Sequence, residues 1–126
     1  MEHYRFEGTG IPPAYGAYSH AVVAGDFVFV AGQIARNRET GQFSGGDVGA
    51  QTTRCIEIVA EILGQLGLSL AHVVRSTVYL ADVRDFDAMN RVYAQAFGPN
   101  YPARSTPQVS LPFGASVGLE VTAYRG

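Results

Sequence analysis

Residues 117–124 narrow most sharply what this chain can fold into. Val117, Leu119, Val121 and Ala123 alternate with Gly118, Glu120, Thr122 and Tyr124. Only an extended strand turns that two-residue period into one apolar face and one more polar face. The apolar face must be buried, and two stretches of helical period are available to cover it. From Asp47 onward, Val48, Thr52, Cys55, Ile56, Val59, Ile62, Leu63 and Leu66 fall on one side of a helix, with Asp47 suited to cap its start and Gly67 its end. Glu57 and Glu61 fall on the opposite side. A second helix is expected after Asp82 and Asp85, with the stripe Phe86, Met89, Tyr93, Ala96 and Phe97, and Gly98-Pro99 ends it. Asn90 shares that stripe. An amide on an apolar helix face must be hydrogen-bonded or open to a cavity.

The remaining segments read mostly as strands. Residues 3–7 alternate, and Gly8 to Pro13 interrupts them. Tyr18–Val23 and Phe27–Ala31 are expected to form a hairpin about Ala24-Gly25-Asp26. Phe27-Val28-Phe29-Val30-Ala31 lacks polar alternation and predicts a strand buried on both faces. It runs into Gly32-Gln33, where a missing side chain permits close approach. Residues 37–46 are glycine-rich and polar, a loop with room for a small hairpin. Val73–Leu80 is β-branched and aromatic, and Thr106–Leu111 is expected to be a strand ahead of a turn at Pro112. The whole, residues 1–126, reads as one α+β domain with a mixed β-sheet and two helices packed on one face. Glu120 then lies on the face away from the helices, and something else must cover that face.

Composition removes several function classes. The formal charge is −2 and the pI about 5.8, so the chain has no basic footprint for nucleic acid. A single cysteine excludes an intrachain disulfide and fits a reducing, cytoplasmic setting; Cys55 within the helical stripe reads as a core thiol. No apolar run approaches the length of a membrane span. The glycines at 41, 45, 46 and 49 fit no phosphate-cradling spacing, and His3, His20 and His72 form no metal motif. Cofactor-free and metal-free chemistry, or binding alone, is the expectation.

One cation stands apart. In Tyr101-Pro102-Ala103-Arg104-Ser105-Thr106-Pro107, two prolines bracket a guanidinium that has no carboxylate neighbour in sequence. Its planar fork of donors suits a bidentate partner such as a carboxylate.

Five segments together resemble one family. Gly16-Ala17-Tyr18, Ala31-Gly32-Gln33-Ile34, Phe86-Asp87-Ala88-Met89-Asn90-Arg91-Val92-Tyr93, Pro102-Ala103-Arg104-Ser105 and Leu119-Glu120-Val121 occur in the order and spacing of the Rid (YjgF/YER057c/UK114) family. The resemblance implies a chorismate-mutase-like fold and a homotrimer with ligand clefts between subunits. It also implies hydrolytic deamination of enamines and imines, such as 2-aminoacrylate and 2-imino acids, to 2-keto acids and ammonia. By the same resemblance, Arg104 would clamp the substrate carboxylate with help from the backbone N–H groups of Gly32 and Thr106. Glu120 would position the attacking water, and Tyr18 and Asn90 would line the cleft. Ala31 stands where the deaminase branch has Ser, Thr106 where it has Cys, and Ala17 where it has Pro. The alternatives within this resemblance are a pathway-specific member acting on an aromatic or cyclic imine or 2-aminomuconate, and a non-catalytic small-molecule-binding trimer. A third is the endoribonuclease or translation-inhibitor role attached to relatives, against which the acidic pI and the lack of an aromatic–basic patch count.

Overall fold

The computed structural model describes residues 1–7 and 9–126. Six strands, β1 (Glu2–Tyr4), β2 (Ala21–Ala24), β3 (Phe27–Ile34), β4 (Val73–Leu80), β5 (Ala103–Ser105) and β6 (Val117–Tyr124), form one sheet in the order β1-β2-β3-β6-β4-β5. All neighbours are antiparallel except β4 and β5, which run parallel, so the sheet is mixed. Two helices, α1 (Val48–Gln65) and α2 (Phe86–Phe97), pack on one face.

The apolar side of β6 is buried as its alternation demands: Val117, Leu119, Val121 and Ala123 join the core with Val28 and Val30 of β3 and Val78 and Leu80 of β4. From α1 come Cys55, Ile58, Val59, Ile62 and Leu63, and from α2 Met89, Tyr93 and Phe97. Each fully buried aliphatic side chain contributes roughly 1.5–3 kcal/mol relative to exposure. Both ends of α1 follow from local chemistry. Asp47 Oδ1 accepts from the Ala50 N–H at 2.8 Å, and past the last turn Gly67 adopts φ +75°, with Leu68 N–H donating to the Leu63 carbonyl at 2.9 Å. Burial pushes the Cys55 thiol up to about 12, in keeping with a core residue. Glu61, on the outer side of α1, pairs with Arg38 and Arg54.

Five expectations need correction. The β3 run is not buried on both faces, since Phe27 is 43% and Phe29 49% exposed while Val28 and Val30 are enclosed. Aromatic rings hid an ordinary alternation: both open onto the helix-free face, which this chain alone does not cover. Residues 106–111 are not a strand. Pairing with β4 stops at Ser105, and beyond it only Gln108 bridges Leu80, because Pro107 has no N–H to extend a ladder. The strand expected over residues 3–7 is confined to Glu2–Tyr4, and the one over 18–23 starts only at Ala21. Finally, Asp82 caps a short 3₁₀ turn (Val83–Asp85), whereas Asp85, at the start of α2, makes no side-chain cap bond.

Candidate active site

The sheet register sorts the singled-out residues into two groups. Ser76 of β4 is level with Arg104 of β5, and the next residue, Thr77, is level with Glu120 of β6. Residues level with one another share a face and consecutive residues do not. Arg104 and Glu120 therefore sit on opposite faces of the sheet, Arg104 toward α2 and Glu120 on the helix-free side.

On the helix side, Arg104 Nη1 donates to Asn90 Oδ1 at 2.9 Å. Its guanidinium lies 4.5 Å from the centre of the Tyr93 ring and 5.3 Å from that of Phe86, both close enough for cation–π attraction. Tyr93 is itself fixed by a 2.6 Å hydrogen bond between its hydroxyl and Ser76 Oγ. Burial raises its pKa, partly offset by the Ser76 hydrogen bond and the Arg104 charge. Among the described residues no carboxylate forms an ion pair with Arg104. The cation is thus oriented by an amide and two rings and leaves donors for a ligand. A cavity of about 400 Å³ opens there, lined by Arg104, Asn90, Tyr93, Ala94, Tyr101 and Pro102. Asn90 is on the apolar stripe because its oxygen holds the guanidinium.

On the other face, β3 pairs Val30 with Val121 and Gln33 with Leu119, so Ala31 and Gly32 together stand opposite the single residue Glu120. Such a bulge breaks the ladder and re-aims the backbone beside the residue it faces. A Cβ at Gly32 would meet nothing within 4 Å, so the backbone there borders open space. The Tyr79 hydroxyl donates to Glu120 Oε1. That hydrogen bond, with burial and the carboxylate charge behind it, raises the Tyr79 pKa and keeps the phenol protonated as a donor. Glu120 borders a cavity of about 200 Å³ with Phe29, Arg75, Thr77 and Thr122. Tyr79, Tyr18 and Gly32 border a larger one of about 430 Å³. The Tyr18 oxygen accepts from the Tyr15 backbone N–H at 3.1 Å, which leaves its own proton for a ligand.

The structure thus brings Tyr18 and Gly32 together at one cavity, with Tyr79 joining it to Glu120, and separately joins Arg104 to Asn90. Thr106 directly follows β5 at the Arg104 end. Tyr79 and Tyr93 were missed from sequence. Tyr79 had a signal, since it lies two residues from Thr77 on a strand and so shares the face of Glu120. Tyr93 was read only as core. Among the described residues no group of three or more His, Cys, Asp or Glu side chains could hold a metal ion. Among the described residues no helix is long and apolar enough to cross a membrane.

Residues 9–125 match the family model described as endoribonuclease L-PSP. A RutC family protein of Pyrococcus abyssi is 46% identical over 115 residues, spanning 90% of this chain and 91% of that protein. The human 2-iminobutanoate/2-iminopropanoate deaminase is 37% identical over 116 residues, 91% of this chain and 85% of that one. Among solved structures, E. coli TdcF with bound serine superposes with a TM-score of 0.90 at 34% identity, covering 99% of this chain and 100% of that one.

Proposed function

Because this chain belongs to the endoribonuclease L-PSP (YjgF/Rid) family, we propose that it hydrolyses 2-imino acids and their enamine tautomers to 2-keto acids and ammonia, in clefts formed between copies of itself. The observation that carries this reading is Arg104, a guanidinium aligned by Asn90 and Tyr93 with no carboxylate of its own. It is a receptor for a planar carboxylate. The human relative is named for deamination of two 2-imino acids, and E. coli TdcF was solved with serine, an amino acid, bound.

The chemistry needs little beyond placement. The substrate carboxylate docks on Arg104, aided by the Gly32 and Thr106 backbone N–H groups. Water, held by the Glu120 oxygen that Tyr79 does not occupy, adds to the imine carbon. Its proton passes to Glu120 and on to nitrogen, and the resulting carbinolamine expels ammonia as the C=O bond forms. An enamine first takes a proton on carbon and then follows the same course. Tyr18, with its hydroxyl proton unspent, donates to the substrate.

Arg104 and Glu120 occupy opposite faces of one sheet, so this cleft takes Arg104 from one copy and Glu120 from the next. The exposed Phe27, Phe29 and Tyr124 on the helix-free face supply apolar surface for that contact. A closed homotrimer satisfies every copy alike.

The test generates 2-iminopropanoate and 2-iminobutanoate with an amino-acid oxidase and follows keto-acid release. The protein is expected to accelerate release, and Glu120→Gln to lose most of that acceleration while still binding a keto acid. Imine decay at the same rate with and without protein would contradict the reading.

A further inference from the structure

The larger cavity beside Tyr18 and Gly32 has a feature that the deamination step does not use. At about 430 Å³ it is of ordinary size for a small-molecule site, ~300–1,000 Å³. A methyl or ethyl side chain would leave most of it empty. Its walls beyond the reaction centre are Ile34, Leu111, Tyr15 and Phe113. Phe113 is 64% exposed and holds φ +58°, the left-handed region that a bulky side chain rarely adopts. Its ring rests on Tyr15 with centroids 5.8 Å apart.

Tyr15 in turn is clamped. The Arg36 guanidinium lies 3.7 Å from its ring centre, and its hydroxyl donates to the Gly41 carbonyl at 2.5 Å. Arg36 Nε donates to the same carbonyl at 2.8 Å. Among the described residues lining the cavity, Arg36 is the one cation: its Nε is held by the Gly41 carbonyl and the Tyr15 ring covers it, while its Nη2 is buried without a partner, and no acidic side chain lines the walls. Apart from Arg36 and Gln33, these walls are ring and aliphatic surface continuous with Tyr18 and Gly32, suited to cover carbon.

We infer that this cavity receives the side chain of the substrate, and that it selects bulky apolar side chains, aromatic or branched aliphatic, with Phe113 as the closing wall and Arg36 positioning Tyr15. The inference rests on the deaminase reading for its reaction centre. Burying a phenyl or isobutyl group against these walls adds binding that a methyl group cannot, and a difference of one or two methylenes in an apolar pocket already discriminates roughly 10- to 200-fold.

The experiment compares imines made in situ from alanine, leucine, phenylalanine and glutamate, for wild type, Phe113→Ala and Phe113→Leu. Calorimetric binding of pyruvate and phenylpyruvate runs beside it. The wild type is expected to favour the leucine- or phenylalanine-derived imine over the alanine-derived one by about tenfold or more in kcat/KM. Phe113→Ala should shrink that ratio severalfold, and Phe113→Leu should restore part of it. Melting curves should be close for all three proteins, because the ring is mostly exposed. A preference for the alanine- or glutamate-derived imine, or a ratio indifferent to residue 113, would overturn the pocket assignment and leave the deaminase reading standing. If no imine is turned over, the deaminase reading falls and binding decides the pocket alone. Phenylpyruvate binding more tightly than pyruvate, and weakened by Phe113→Ala, supports the assignment; equal affinities refute it.

Discussion

Arg104 is the residue whose geometry matters most. Asn90 takes one nitrogen at 2.9 Å and the Tyr93 ring supports the guanidinium plane, so the remaining donors point as a set. A lysine at this position would keep the charge and lose both the plane and the two-point contact. Arg104→Lys should therefore be nearly as damaging as Arg104→Ala. The expected loss is about 2–4 kcal/mol of transition-state stabilisation, roughly thirty- to a thousand-fold in kcat/KM on an imino acid. Steady-state kinetics of the two variants checks this, and keto-acid affinity should fall in parallel. A lysine variant within a few-fold of wild type would mean that charge alone suffices. Sequence reading reached Arg104 through its isolation between prolines and Asn90 through its misplaced polarity. It could not join them, because the contact spans a helix and an edge strand whose packing no local pattern encodes.

At the scale of elements, legibility followed how local each cause is. Helix α1 rests on its own period, on Asp47 at its start and on Gly67 past its end, all visible in sequence. Its cap carries a prediction. Asp47→Ala removes the acceptor for the Ala50 N–H and should cost ~1 kcal/mol of stability, read as a lowered midpoint in denaturant with an unchanged slope. Turnover of the folded protein should be nearly unaffected, since no residue of α1 lines any of the three cavities. Strand β4 was equally plain from its β-branched run. Strand β5 was not: its three residues pair in parallel with β4, a non-local contact with no signature in so short a segment, and β pattern was assigned to residues 106–111 instead. The bulge that sets Ala31 and Gly32 opposite Glu120 was likewise out of reach, since a register shift exists only between two strands. Glycine at position 32 hinted at a close approach without saying to what.

At the scale of the molecule, the pairing of β4 with its two neighbours decides the architecture of the site. With Ser76 level with Arg104 and Thr77 level with Glu120, these two side chains, Arg104 and Glu120, are divided by the thickness of the sheet. A cleft using both must be shared between copies, in a head-to-tail ring where each contact joins the Arg104 edge of one copy to the helix-free face of the next. The most direct measurement is complementation. Arg104→Ala and Glu120→Gln chains, each nearly inactive alone, are unfolded together, reassembled at equal ratio and shown by native mass spectrometry to have mixed. About a quarter of the contacts in such rings pair an intact Arg104 with an intact Glu120, so the mixture should regain about a quarter of wild-type imine hydrolysis. Mixed assemblies that stay as inactive as their parents would contradict a site built from two copies.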